Sequence, residues 1–233
     1  MTGFQTSVSA NMAYGIPGDF ATTGPWSTVP AQNGELTAGS AGVAIGIFAW
    51  ADDTTGVVTN GKPNLTSTRF GFVGRNQRAL ITTYLAESSF TVLPGAEITL
   101  TDAGPVFVAA PSGGGTIGQK VFAKYADGTI SFGTAGSPPT TTGSVTTTNT
   151  STTISYTPAS LTLAPGQPIT GTGIPAGATV ATVNAGAGTA TISAAATASG
   201  TVTATVTTAY ETRYFVKTGG VAGDVVIIND KGF

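Results

Sequence analysis

An all-β fold is what this sequence predicts, and three observations carry that expectation. Gly 33 and Pro 13 among 233 residues punctuate the chain with turns. Between the turns lie short runs in which Val, Ile, Thr and aromatic residues alternate with small or polar ones, which is the period of a strand. Nowhere does a pattern of Ala, Leu, Glu and Lys sustain the 3.6-residue period of a long helix. Hydrophobic residues make up 40%, enough for a packed core. The expected architecture is a β-sandwich or barrel-like core domain with an extended N-terminal arm, plus a small inserted immunoglobulin-like β-sandwich.

Residues 1–40 are rich in Gly, Pro and Thr and only weakly periodic. Phe4, Tyr14, Phe20 and Trp26 are spaced along them as anchors for an extended arm. Such an arm either hugs its own subunit or lies on a neighbouring protein. Residues 43–50 alternate Val43, Ile45 and Ile47 and then turn aromatic, which predicts a buried strand closed by a turn at Asp52-Asp53-Thr54-Thr55-Gly56. Adjacent carboxylates can do acid/base work, but before Thr-Thr-Gly they read as turn chemistry.

A turn follows at Gly61–Asn64 and a short strand at Arg69–Gly74. The densest run of informative side chains is Gly71–Ser88, where Arg75 and Arg78 flank an Asn-Gln pair. Leu80, Ile81, Tyr84 and Leu85 come next, at a spacing that fits one helical face. Thr82 and Thr83 favour strand instead, so strand is the expectation and a single helical turn the alternative.

Residues 89–100 read as strand, turn at Pro94-Gly95, strand, and Val106–Ala109 as a further strand. Asp127-Gly128 between Gln119–Tyr125 and Thr129–Phe132 is a hairpin signal, because both residues tolerate φ > 0.

Beyond this hairpin the composition changes. Residues 128–210 contain no Asp, Glu, Lys or Arg, and all nine basic and eleven acidic residues lie outside them. Residues 137–155 read as a Thr/Ser-rich linker or irregular strand. Alternation is then plain at Val180–Val183, Thr189–Ile192 and Val202–Val206. A small β-sandwich over 134–208 is expected, inserted at a hairpin tip of a core made from 41–133 and 209–233. In the closing part, Val225–Ile228 is apolar throughout, as in a strand buried on both faces.

The function classes narrow by what is missing. There is no Cys and no His, which removes disulfides, thiolate metal sites and the commonest general base. The opening Met1–Thr6 has neither a basic n-region nor an apolar h-region, so no export leader is expected. No membrane span is expected from a chain without a run of 18 apolar residues. Net charge −2, with the basic residues scattered, argues against nucleic-acid binding. Glu87 and Glu97 could form a glycosidase-like pair, but ordinary exposed positions at strand ends explain them as well. The Gly113–Gly115 triplet lacks the Lys-Ser/Thr of a phosphate loop, and Pro175 after Gly171-Thr172-Gly173 excludes a dinucleotide turn. No catalytic residue, metal ligand or cofactor is expected. Charged residues are only 9%, far below the roughly 25% of an ordinary soluble domain, so much of the surface is either Thr/Ser-covered or masked by partners.

Several motifs in order resemble tailed-phage capsid cement (decoration) proteins. They are Phe4-Gln5-Thr6, Pro17–Ala21, Val43–Gly46 with Phe48–Ala51, and Gly71–Val73 with Arg75. Leu80–Glu87, Val121–Gly128, Glu211–Val216 and Gly223–Val225 continue the likeness, which covers roughly 1–133 and 209–233. The charge-free segment resembles Gly-Thr-Gly-Ile-Pro-Ala-Gly-type inserts of phage virion proteins. The resemblance implies a non-enzymatic subunit, made in the host cytoplasm, on the outer capsid surface. Its implied partners are the major capsid protein and further copies of itself, as a dimer or trimer, with no nucleic acid and no membrane. Phe4, Tyr14, Phe20, Trp26, Arg75, Arg78 and Tyr84 are the candidate interface residues, since Arg and aromatics are enriched in interface hot spots. A solvated loop is the alternative for Arg75 and Arg78. Two other classes stay open: a virion or tail adhesin binding host glycans through the Thr-rich module, and a glycan-cleaving virion enzyme.

Overall fold

A computed structural model describes residues 15–22, 24–31, 35–75 and 90–231. Every regular element among them is a strand, so the chain is all-β. A six-stranded sheet runs in the order β1 (Ser27–Thr28), β8 (Leu100–Ala103), β6 (Phe70–Val73), β4 (Phe48–Ala51), β5 (Val57–Thr59), β2 (Thr37–Ala38). Its pairings are antiparallel except β2 with β5. A five-stranded antiparallel sheet runs β11 (Ile130–Gly133), β10 (Lys120–Lys124), β18 (Ala209–Val216), β19 (Val225–Asn229), β9 (Val106–Ala109). β3 (Val43–Ala44) and β7 (Thr91–Val92) form a small two-stranded sheet of their own.

The six-stranded sheet buries both of its faces. Phe48, Trp50 and Phe72 meet Val121, Tyr214, Val226 and Ile228 of the five-stranded sheet in one core. Ala49, Ala51, Val58, Val73 and Leu100 face a second core completed by Leu36, Val43, Ile45 and Val92. Alternation along β4 and β6 sends successive side chains to opposite cores, which is why the short strand Phe48–Ala51 is buried at every position. The first core is knit by rings: Phe48 lies 4.9 Å from Phe70, 5.6 Å from Phe72 and 5.6 Å from Tyr214.

A third sheet holds β14 (Ile169–Thr170), β17 (Gly200–Thr207), β12 (Thr140–Thr147), β13 (Thr153–Tyr156), β16 (Thr189–Ile192) and β15 (Val180–Asn184), in that order. Its edges meet. Gly166 N donates to Val180 O at 2.7 Å, Val180 N to Gln167 O at 2.8 Å, and Ile169 N to Ala178 O at 3.0 Å. The sheet thus curls around its own aliphatic core of Val145, Ile154, Leu161, Ile169, Val180, Ile192 and Val206, and needs no second sheet to cover it.

Several sequence expectations take a different form. Residues 43–50 are not one strand: Gly46, at φ +82°, turns the chain between β3 and β4. After the turn at Pro94-Gly95, regular pairing resumes only at Leu100. The Thr-rich stretch from 140 is no linker, because all eight residues of β12 pair with β17. In β19 only Val226 and Ile228 are fully buried, while Val225 and Ile227 are half-buried on the other face. Residues 15–38 contribute β1, β2 and a bridge from Phe20 to Val106, so this part of the arm lies on its own chain. The hairpin at Asp127-Gly128 forms with Gly128 at φ +70°.

Candidate functional site

Of the seven candidate interface residues, Phe4, Tyr14, Arg78 and Tyr84 lie outside the described residues, as does the strand-or-turn expectation for residues 80–85. Phe20, Trp26 and Arg75 lie within them. Phe20 is half-buried against the inter-sheet core, and its ring is 5.3 Å from that of Trp26. Trp26 is 53% exposed.

Arg75 is separated from the end of β6 by Gly74. Its backbone N donates to Gly18 O at 2.7 Å, joining the end of the strand to the N-terminal segment. Gly18 sits there at φ +97°, where a Cβ would come within 2.7 Å of Ile45, so the close approach needs glycine. The Arg75 guanidinium reaches Asp19 Oδ2 at 3.3 Å and lies 5.7 Å from the Phe90 ring. Both partners of the ion pair are well exposed, so the pair contributes about 0–1 kcal/mol to stability. Phe90 itself is 50% exposed, an aromatic held at the surface by a cation. Sequence reasoning missed Phe90, because nothing in residue type separates a surface phenylalanine from a core one. The result is a patch of Arg75, Phe90, Asp19 and exposed Ile16, built on a strand end and a segment hydrogen-bonded to it.

The adjacent carboxylates are structural. Asp52 Oδ1 accepts from the backbone N of Thr54 and Thr55, which holds its pKa below the ordinary value. Asp53 takes Arg69 Nε at 2.9 Å and Thr68 Oγ1 at 2.7 Å. Burial alone would push Asp53 up, but these hydrogen bonds outweigh it and bring it down to about 2. Glu97 is exposed and bridges to Thr37, whereas Glu87 lies outside the described residues. Among the described residues no three His, Cys, Asp or Glu side chains gather as metal ligands. No helix among them is long and apolar enough to cross a membrane.

A cavity of about 280 Å³ opens between the six-stranded sheet and β18, lined by Arg69, Phe70, Asp102, Tyr210, Arg213 and Tyr214 among others. Asp102 is already engaged by Ser27 Oγ and by Arg213 at 3.5 Å. Burial, then the nearby Asp230 and Asp102, raise the Tyr214 phenol well above its ordinary value, so it stays protonated. Arg69 Nη1 and Tyr214 Oη have no hydrogen-bond partner, but both atoms are shut off from the cavity's open space. A neutral phenol and two ion-paired arginines supply no nucleophile–base pair for covalent chemistry.

The sequence signature of the XM1 gp53 minor capsid protein family matches residues 4–160, and the chain belongs to that family. It is a structural component of the phage capsid. A chain in the solved capsid of Myoviridae phage XM1 aligns over 100% of this chain and 99% of its own, at 11% identity and a TM-score of 0.46. No curated protein matches the chain.

Proposed function

We propose that the protein is a cement, or decoration, subunit. It binds the outer surface of the assembled capsid and ties neighbouring major capsid proteins together. In this reading residues 41–133 and 209–233, together with the strands contributed from residues 15–38, form the capsid-binding body, and residues 134–208 an outward-facing module. Subunits sit on the lattice as dimers or trimers. Membership of a minor capsid family over 4–160 supports the role, and the Arg75–Phe90 pair supports the contact. Arginine is enriched at binding hot spots and aromatic residues at interfaces, and here the guanidinium stands 5.7 Å from an exposed ring.

The mechanism is linkage. A subunit that binds only the assembled lattice stabilises it by about 2.7 kcal/mol per site at a hundredfold excess over Kd. Two measurements test this. Capsids with and without the protein are heated in parallel, and equal resistance would sink the reading. Arg75→Ala should weaken capsid binding about tenfold, a hot-spot loss near 1.4 kcal/mol, while leaving the fold intact. Wild-type affinity in that variant would move the contact elsewhere.

A further inference from the structure

The Thr-rich sheet joins the rest of the chain through residues 134–139 and Thr208, and the two links are tied together. Thr208 N and Oγ1 both donate to Pro139 O, at 2.8 and 3.0 Å, and Tyr125 N donates to Thr208 O at 3.0 Å. Links of this kind alone would still allow the sheet to swing. Two further contacts stand off the axis of the links. Ala164, from the long loop before β14, is buried as part of the inter-sheet core, which also holds Trp50 and Tyr125, rather than in the core of its own sheet. Gln167 Oε1 accepts from Ala164 N at 2.8 Å and fixes that loop.

The second contact is at Gly166, on the seam where the curled sheet closes. Its backbone lies so near Lys62 that a Cβ would come within 2.8 Å of Lys62 Cδ and Nζ. Lys62 is itself held from the other side: its N donates to Tyr125 O at 2.8 Å, and its amine stands 6.0 Å from the Tyr125 ring. The half-buried lysine stem therefore lies between the hairpin of β10–β11 and the seam, and burial pulls its amine below the ordinary lysine value.

We propose that Lys62, Ala164 and Gly166 form a clamp that holds the Thr-rich sheet at one fixed angle to the core, making it a rigid projection and not a tethered bead. The proposal rests on the reading above only for what the projection does on a particle. The clamp is intramolecular, so its failure on the isolated protein is distinct from any failure to bind capsids.

The chain has no cysteine, so Ser112→Cys and Ala185→Cys introduce the only thiols, one exposed site on each body. Spin labels there should give a single narrow distance distribution by pulsed electron resonance. A broad distribution would overturn the proposal. Adding Gly166→Ala should broaden or shift the peak. Gly177→Ala supplies the control, since Gly177 has a similar φ of +74° but nothing within 4 Å of its Cβ position, and it should leave the peak unchanged. Equal broadening by both would assign the effect to backbone strain within the sheet and refute the clamp. Should Gly166→Ala fail to fold, Lys62→Ala makes no backbone demand and must also broaden the peak. An unchanged peak in that variant would overturn the proposal too.

Discussion

Among the described residues of 15–133 and 209–231, two sheets are fastened by rings and charges. Phe48, Trp50, Phe70, Phe72, Tyr125 and Tyr214 interlock between them, and Arg69 anchors the turn after β4 through Asp53. In residues 140–207 there is no charge at all, and Tyr156 is the only aromatic. Those strands pack on Val, Ile and Leu and link their outer faces through hydroxyls, as Thr146 does with Thr201 and Thr182 with Thr191. The difference teaches that a β structure can replace large rings by closure. Six strands whose edges meet bury their aliphatic face without a covering layer, whereas two open sheets need bulky side chains to fill the space between them.

Four substitutions, one in each kind of contact, probe the contrast. Phe48→Ala removes the ring at the centre of the inter-sheet core and should cost about 3–5 kcal/mol. Calorimetry should show the core transition falling while the transition of the Thr-rich sheet stays in place. A joint shift of both would mean a single cooperative unit. Ile154→Ala, fully buried in the curled sheet, should cost about 2–5 kcal/mol and move the other transition.

Acid should separate the regions next. The folded pKa of Asp53, about 2, lies below its unfolded value near 3.8, so the carboxylate contributes stability above pH 4 that is lost as pH falls from about 4 to 2. The contribution is about 2 kcal/mol. Asp53→Asn should flatten that part of the core's acid profile. The Thr-rich sheet, without Asp or Glu, should not respond over the same interval. Thr182→Val comes last: losing its 2.6 Å hydroxyl contact with Thr191 should cost about 0.2–1 kcal/mol by thermal denaturation.

Much of this was legible in the residues. The Asp127-Gly128 hairpin, the turn at Asp52–Gly56 and the all-β class follow from local chemistry, because their causes lie within a few residues. What was not legible depends on distant partners. The alternation at Val43–Trp50 gave no warning that Gly46 turns the chain there, because the turn is held by a bond from Gly46 N to Val73 O. Val225–Ile228 looked buried on two faces because apolar residues on a half-covered face look the same in sequence. Thr140–Thr147 read as linker or irregular strand because its regularity comes from β17, more than fifty residues away. At the candidate surface Arg75 stood out by charge, whereas Phe90 becomes visible only once Arg75 is seen to lie against it.

The closing of the curled sheet has one more consequence. Long runs of Thr and Val with no charge are poor company for one another, since an open strand of that composition is a template onto which the next molecule can add. On a particle surface, where copies of a capsid component stand close together, that hazard scales with crowding. The bonds from Gly166, Ile169 and Val180 across the seam occupy part of the edge such a template would offer. If the module faces outward as proposed, its hydroxyl-coated, uncharged surface can stand at high density with part of its open edge already paired.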